Sequence, residues 1–151
     1  MKNKKLLIIA ILSTIAILNA WYLTYQAYQL ISWVTTSWFC DLNNFASCTN
    51  VLASPYSRIF GIPIPAIALV VYPLILLISL LWYYWKIRKP FHILLGMSIW
   101  WIIMSAYFIY QEVFNIWALC LLCLMCSVII CSIFIISIMW IYEKKWYSKI
   151  H

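Results

Sequence analysis

The run IWALCLLCLMCSVIICSIFIISIMWIY, Ile116–Tyr142, decides the fold. It is almost unbrokenly apolar, and about 20 such residues cross the hydrocarbon core of a bilayer as a helix. Inside it Cys120-Leu121-Leu122-Cys123 forms a CxxC pair. Two cysteines three apart on a helix share a face, with Cβ atoms about 5–6 Å apart. A small local adjustment would let them bridge, since bridged Cα atoms lie roughly 4.4–6.8 Å apart. The reading places the pair in the first turn or two of its helix, where the positive end of the macrodipole favours a thiolate. Two interpretations stand for the pair: a redox dithiol at the membrane surface, or two packing residues, because free cysteine behaves as a small hydrophobe.

The rest of the chain has the same character. Of its 151 residues 68% are hydrophobic and 9% charged, with two glycines, a composition that excludes a soluble globular domain and belongs to an integral membrane protein. The length suits a single membrane domain over residues 1–151. A formal charge of +7 invites a nucleic-acid reading, but nine of the ten basic residues fall in three clusters: Lys2, Lys4, Lys5; Lys86, Arg88, Lys89; and Lys144, Lys145, Lys149. Each flanks an apolar run, as the positive-inside rule expects of cytoplasmic ends. The charge therefore reports topology and anionic lipid, with no nucleic-acid partner.

Four spans follow, at about 6–30, 62–85, 91–110 and 116–142, with an outer loop over 31–61. A signal peptide is the rival reading of the first run, but the run is too long for a signal core and no small-x-small cleavage site follows it. It is read as a retained helix whose amino end is cytoplasmic, with Trp21, Tyr22, Tyr25 and Tyr28 as an interfacial aromatic belt. Gly61-Ile62-Pro63-Ile64-Pro65 marks the start of the second helix, because proline is tolerated in a first turn. Pro73 is its expected kink point. Lys86–Pro90 reads as a tight cytoplasmic turn and Gln111–Asn115 as a short outer one.

This topology sets four cysteines on the outer side: Cys40 and Cys48 in the loop, Cys120 and Cys123 at the mouth of the fourth helix. Outside a bacterial-type plasma membrane, or in an ER lumen, disulfides persist. Two dithiols on one face suggest a relay that works by thiol–disulfide exchange. Reach is no obstacle, because an extended chain covers up to ~3.3–3.6 Å per residue between Cys48 and the second span.

At this point the residues resemble the vitamin K epoxide reductase family, including its bacterial quinone-linked members. The pair Cys40-Asp41 … Ser47-Cys48 keeps the family's seven-residue separation and both flanking residues. The segment Cys48-Thr-Asn-Val-Leu-Ala-Ser54-Pro-Tyr56-Ser-Arg58-Ile-Phe60-Gly61 matches at its cysteine, valine, serine, arginine, phenylalanine and glycine positions. Two intervening helices and then the CxxC complete the order. The resemblance implies an all-α integral membrane protein: a four-transmembrane-helix bundle with an extracytoplasmic loop and a short anchoring helix capping a quinone pocket. It implies that Cys123 reduces the quinone, that Cys120 exchanges with Cys48, and that Cys40 completes a loop disulfide meeting a thioredoxin-fold partner. Ser127 stands where the vertebrate enzymes carry a quinone-contacting tyrosine, and an apolar residue near Leu77 replaces their second-helix asparagine. Both differences favour a plain quinone over the epoxide. No fused thioredoxin domain follows the fourth span, so the partner is expected in trans.

The chemistry needs no metal or flavin, because a dithiol closing to a disulfide releases the two electrons that a quinone accepts with two protons. A menaquinone, ubiquinone or vitamin K type quinone also accounts for the membrane location through its lipid-soluble tail. Apolar pockets with a few convergent polar groups suit such a headgroup; Ser54, Tyr56, Phe60, Tyr107, Tyr110 and Ser127 are the candidates. Cys126 and Cys131 read as packing residues, and His92 and His151 have no ligand-spaced neighbours. Asp41 either tunes Cys40 or caps a turn, the latter being its common role, and Arg58 binds a lipid phosphate or steadies a thiolate or quinone oxygen. The preferred function is a quinone-dependent thiol–disulfide oxidoreductase supporting disulfide formation. The alternatives are a vitamin K quinone or epoxide reductase running reductively, and a thiolate metal-binding membrane protein.

Overall fold

The computed structural model describes residues 2–32, 41, 43, 45–85 and 90–150. In chain order its elements begin with α1 (Lys2–Ile31), α2 (Cys48–Ala53), a 3-10 turn (Pro55–Ser57) and two short strands, β1 (Arg58–Ile59) and β2 (Ile62–Pro63). There follow α3 (Ile64–Trp85), α4 (Pro90–Gln111) continuing into a π-helical turn (Glu112–Ile116), and α5 (Leu121–Ile150). Four segments are long and apolar enough to cross a membrane: Lys4–Leu30, Ile64–Tyr84, Phe91–Ile116 and Leu121–Glu143. The protein is an integral membrane helical bundle.

Hydrophobicity does not distinguish inside from outside in such a bundle, because lipid tails are as apolar as leucine. Small and hydroxyl side chains make the distinction instead. On α1 the positions Leu6, Ile9, Ser13, Ala16, Ala20, Leu23 and Ala27 are buried in alternating steps of three and four, with Ala10 and Asn19 buried beside them. The same rhythm buries Ala68, Tyr72, Ile75, Ser79 and Trp82 on α3 and Phe91, Leu94, Ser98 and Trp101 on α4. A seven-residue period over a 3.6-residue helix winds neighbours left-handedly around one another. The seam serines hide their hydroxyls in their own helices, Ser13 donating to the Ile9 carbonyl at 2.8 Å and Ser137 to that of Ile133 at 2.8 Å. They present little more bulk than alanine, which lets backbones approach.

Helix α1 packs against α3 and α5, while α4 packs against α5 and α3, closing a ring of four. Two side chains cross that ring with hydrogen bonds. Asn19 Nδ2 donates to the Leu122 carbonyl at 2.8 Å and to Cys126 Sγ at 3.1 Å, and Tyr72 Oη donates to the Cys126 carbonyl at 2.9 Å. Bonds of this kind contribute on the order of 0.6 kcal/mol each in a membrane protein. The end of the bundle near the termini is closed by Trp140 stacked on Phe91, centroids 4.2 Å apart, with Trp82 edge-on to both. There Lys5 Nζ also meets Glu143 Oε2 at 2.7 Å.

Three boundaries differ from the sequence-based expectations. The second span begins at Ile64, because Ile62–Pro63 pairs with Arg58–Ile59 as a two-residue hairpin. Its turn residues, Phe60 at φ 50° and Gly61 at φ 81°, both take positive φ, as the tight I′ type requires. The third span runs on to Ile116. Gln111–Asn115 is polar and reads as a turn, yet it stays helical, and the chain reverses at Trp117, which adopts the left-handed conformation at φ 57°. Consequently α5 begins at Leu121, not Ile116, and the CxxC pair straddles its start. Pro73 sits inside α3 without ending it. The expected turn at Lys86–Lys89 lies outside the described residues.

Candidate active site

The capped end of the bundle is assembled from the loop inward. Ser47 is the N-cap of α2, in extended backbone (φ −138°, ψ 113°), its Oγ accepting the Asn50 amide at 3.2 Å. Asp41 completes the cap. Its Oδ1 accepts from Ser47 Oγ at 2.7 Å and from the Thr49 amide at 3.1 Å, while Oδ2 accepts from the Thr49 hydroxyl. Burial pushes the Asp41 carboxyl up, but the bonds from Thr49, Ser47 and the Cys48 amide outweigh it and hold the group below the usual carboxylate value. Asp41 therefore serves the helix terminus, the capping role its residue type favours.

The capped segment is stapled to the link before α5. Ala46 pairs with Leu119 as a parallel bridge, and the Leu119 amide donates to the Phe45 carbonyl at 2.7 Å. The staple sets Cys48, 1% exposed, against Cys120, 0% exposed. Their Sγ atoms are 3.0 Å apart across 72 positions of sequence, about 1 Å longer than a disulfide bond. Cys48 is disulfide-bonded, and Cys120 and Cys123 are free. Cys40 lies outside the described residues.

Cys120 occupies the N-cap position of α5. Its carbonyl accepts the Leu124 amide at 3.0 Å, the first bond of the helix, and its Sγ accepts the Cys123 amide at 3.3 Å. A sulfur replaces the usual cap oxygen, so an N–H is aimed at the atom that gains charge when a disulfide to it breaks. The Cys120 amide in turn donates to Glu112 Oε2 at 3.2 Å. Glu112 is buried, at 5% exposure, on the π-helical turn.

Beside Cys123 lies a cleft walled by residues of all four long helices and the cap. Most of its surface is apolar, including Leu23, Leu52, Ala68, Trp101 and Phe108. Tyr56, Ser57, Ser105, Gln111, Glu112 and Ser127 bring polar groups to it. A quinone ring needs such a mixture: flat apolar walls and a few hydrogen-bonding side chains near its oxygens. The residues present fit the group.

The structure brings Cys48, Cys120 and Cys123 together, and it places Tyr56 and Ser127 on the cleft wall. Four of the six expected quinone contacts, Ser54, Phe60, Tyr107 and Tyr110, do not line the cleft. Phe60 is 100% exposed at the hairpin tip, because the turn geometry points it away from the bundle. Ser54 is spent locally, as N-cap of the 3-10 turn, accepting the Tyr56 amide at 3.3 Å. Tyr107 and Tyr110 lie on the outer face of α4, Tyr107 accepting a bond from Gln111. Leu77 likewise faces outward on α3. Cys126 lines the cleft three residues below Cys123, and Cys131 is exposed. Sequence reasoning missed Glu112, Ser57 and Trp101. Glu112 alone had a signal, an acidic side chain in a chain with three of them.

A membrane bundle whose cap lays a disulfide-bonded sulfur against a free dithiol, beside an apolar cleft, is built as a membrane oxidoreductase that works through thiols. The comparisons agree: the chain belongs to the Vitamin K epoxide reductase family, whose pattern matches residues 7–138. Membership makes it, in general terms, a quinone-linked thiol oxidoreductase. No individual curated protein matches the chain.

Proposed function

We propose that the protein oxidises a separate thioredoxin-fold partner through Cys40 and Cys48 and passes the electrons through Cys120 and Cys123 to a membrane quinone. The observation that carries this reading is the 3.0 Å contact between Cys48 and Cys120. Thiol–disulfide exchange proceeds by attack of one sulfur on another through a mixed disulfide, and these two atoms need to close by about 1 Å to form one. The pairing present, Cys48 bonded and Cys120 and Cys123 free, corresponds to the stage after the loop has handed two electrons to the CxxC. Closing Cys120 and Cys123 into a disulfide releases two electrons and two protons, the amounts a quinone takes up to become a hydroquinone. Cys123, on the cleft wall, is the donor on that side, and Tyr56, Gln111 and Ser127 are the side chains placed to orient the acceptor.

Direction and sidedness belong to the same proposal. Lys5, paired with Glu143, sits at the end opposite the cap, and the sequence places its basic clusters beside span ends, so the positive-inside rule turns the cap outward, where disulfides are made and partners are met. Whether menaquinone, ubiquinone or a vitamin K type serves is set by relative potential, about 30 mV corresponding to ~1.4 kcal/mol.

The test is to trap the relay. In a Cys40→Ala/Cys123→Ala double variant, mass spectrometry of unreduced peptides should recover a Cys48–Cys120 disulfide as the main species. Purified wild type should reduce a short-chain quinone at the expense of a reduced thioredoxin-fold protein, and Cys123→Ala should not. Unchanged turnover in Cys123→Ala, or no Cys48–Cys120 bridge in the double variant, would sink the reading.

A further inference from the structure

Glu112 has no role in the relay as proposed, yet it is the most unusual side chain in the bundle. Of the chain's three acidic residues, Asp41 caps α2 and Glu143 pairs with Lys5. Glu112 is buried on the wall of the cleft it shares with Cys123. No cation lies within salt-bridge range of it among the described residues. An ionisable group held inside a membrane span without a counter-charge is costly, and such groups mark proton and substrate paths. Its contacts are specific. One oxygen accepts the Cys120 amide at 3.2 Å, and Cys123 stands on the same cleft wall. The group therefore holds the start of the dithiol and faces the space beside Cys123.

We infer that Glu112 is the proton carrier of the dithiol: its carboxylate takes the Cys123 thiol proton and delivers it to an acceptor oxygen in the cleft. This rests on the relay reading and deepens it. The balance is complete. As the Cys120–Cys123 bond forms, two S–H bonds break, two electrons leave the sulfurs, and two protons must reach the two quinone oxygens. Among the side chains on the cleft wall, Glu112 is the carboxylate that can move them. A carboxylate that accepts one proton from sulfur and releases it to oxygen, twice per turnover, meets the need. The titratable groups around Glu112 are Cys120, whose amide it accepts, and Cys123, Cys126 and Tyr56, which share its cleft. The walls formed by α1 and α3, and by Val51 and Leu52 of α2, add no charge. A purely structural alternative exists, in which Glu112 anchors the start of α5 through the Cys120 amide. Glu112→Gln separates the two, because a glutamine oxygen still accepts that amide but carries no proton.

In detergent, with dithiothreitol as donor and a short-chain ubiquinone as acceptor, Glu112→Gln should lose about 100-fold or more in kcat, at the low end of general acid–base contributions. Its KM for quinone should stay within about two-fold. A second measurement needs neither quinone nor a substitution at Glu112: the infrared difference spectrum of wild type on reducing its dithiol. A deuterium-sensitive carboxyl band should appear, and Asp41→Asn and Glu143→Gln should retain it. Turnover by Glu112→Gln within three-fold of wild type overturns the inference while leaving the relay intact. So does an infrared spectrum without the band, which also decides the matter if Glu112→Gln does not fold. A wild type that shows the band but reduces no quinone keeps Glu112 as the dithiol's proton carrier and removes the quinone reading instead.

Discussion

Asp41 and Cys120 do the same job with different atoms, each closing the first turn of a helix, and the sulfur at the second position makes that turn reactive. At Asp41 the consequence is a pH dependence of known sign. Its folded-state value is held below 3.8, so the cap contributes fully above the unfolded value and is lost as pH falls through the lower, folded one. Asp41→Asn removes the charge and should cost about 1 kcal/mol of local stability at neutral pH, the usual worth of a cap. Amide hydrogen exchange over residues 47–53 should then quicken roughly five-fold, since 1.4 kcal/mol is tenfold. Wild type should approach the variant's rates only in acid, below about pH 4. Equal exchange in the two proteins at pH 7 would remove Asp41 from the cap.

Each helix carries its packing information in small residues. Ala16 is fully buried on α1 away from the cleft, whereas Leu18, two positions on, faces lipid. Ala16→Leu inserts side-chain atoms where α1 approaches its neighbours and should cost about 1–3 kcal/mol. Leu18→Ala should fall within about 0.5 kcal/mol of wild type. Thermal unfolding in one detergent, monitored by circular dichroism, measures both; a reversed order would mean that the seven-residue seam is misassigned. The π-helical turn after α4 is the other element with consequences. It carries Glu112 inward and leaves the chain to reverse at Trp117, so the carboxylate and the start of α5 are set by one distortion. Such turns inside α-helices recur at functional sites.

On the scale of the whole protein, the two ends of the bundle are chemically opposite. One holds the Lys5–Glu143 pair and the aromatic closure, the other the cap, its sulfurs and the exposed ring of Trp21, stacked on Tyr25 with centroids 6.4 Å apart. Aromatic side chains of this kind settle at membrane–water interfaces. With the cap outward, a cysteine substituted for Asn43 should react with a membrane-impermeant maleimide in intact cells, in a background lacking the native cysteines. One substituted for Glu143 should react only after permeabilisation. The opposite pattern would invert the topology and remove the periplasmic or extracellular partner.

The number of spans and the family pattern were legible in the sequence, since each depends on local quantities: apolar length, residue spacing and chain order. Tyr56 and Ser127 lie on the cleft wall, whereas Ser54 and Phe60 do not. Their side chains are directed by a 3-10 turn and a positive-φ hairpin that a run of mixed polar and apolar residues does not announce. Which helix faces point inward was hidden too, because lipid and protein interior are equally apolar and hydrophobicity carries no contrast between them. Glu112 shows the limit most plainly. Its neighbours Gln111 and Asn115 made the segment look like a surface turn, and burial of the carboxylate follows only from where α4, the cap and α5 meet. Sequence determined what the parts are; packing across more than 70 residues of chain decided that Cys48 touches Cys120, and that a carboxylate stands beside them.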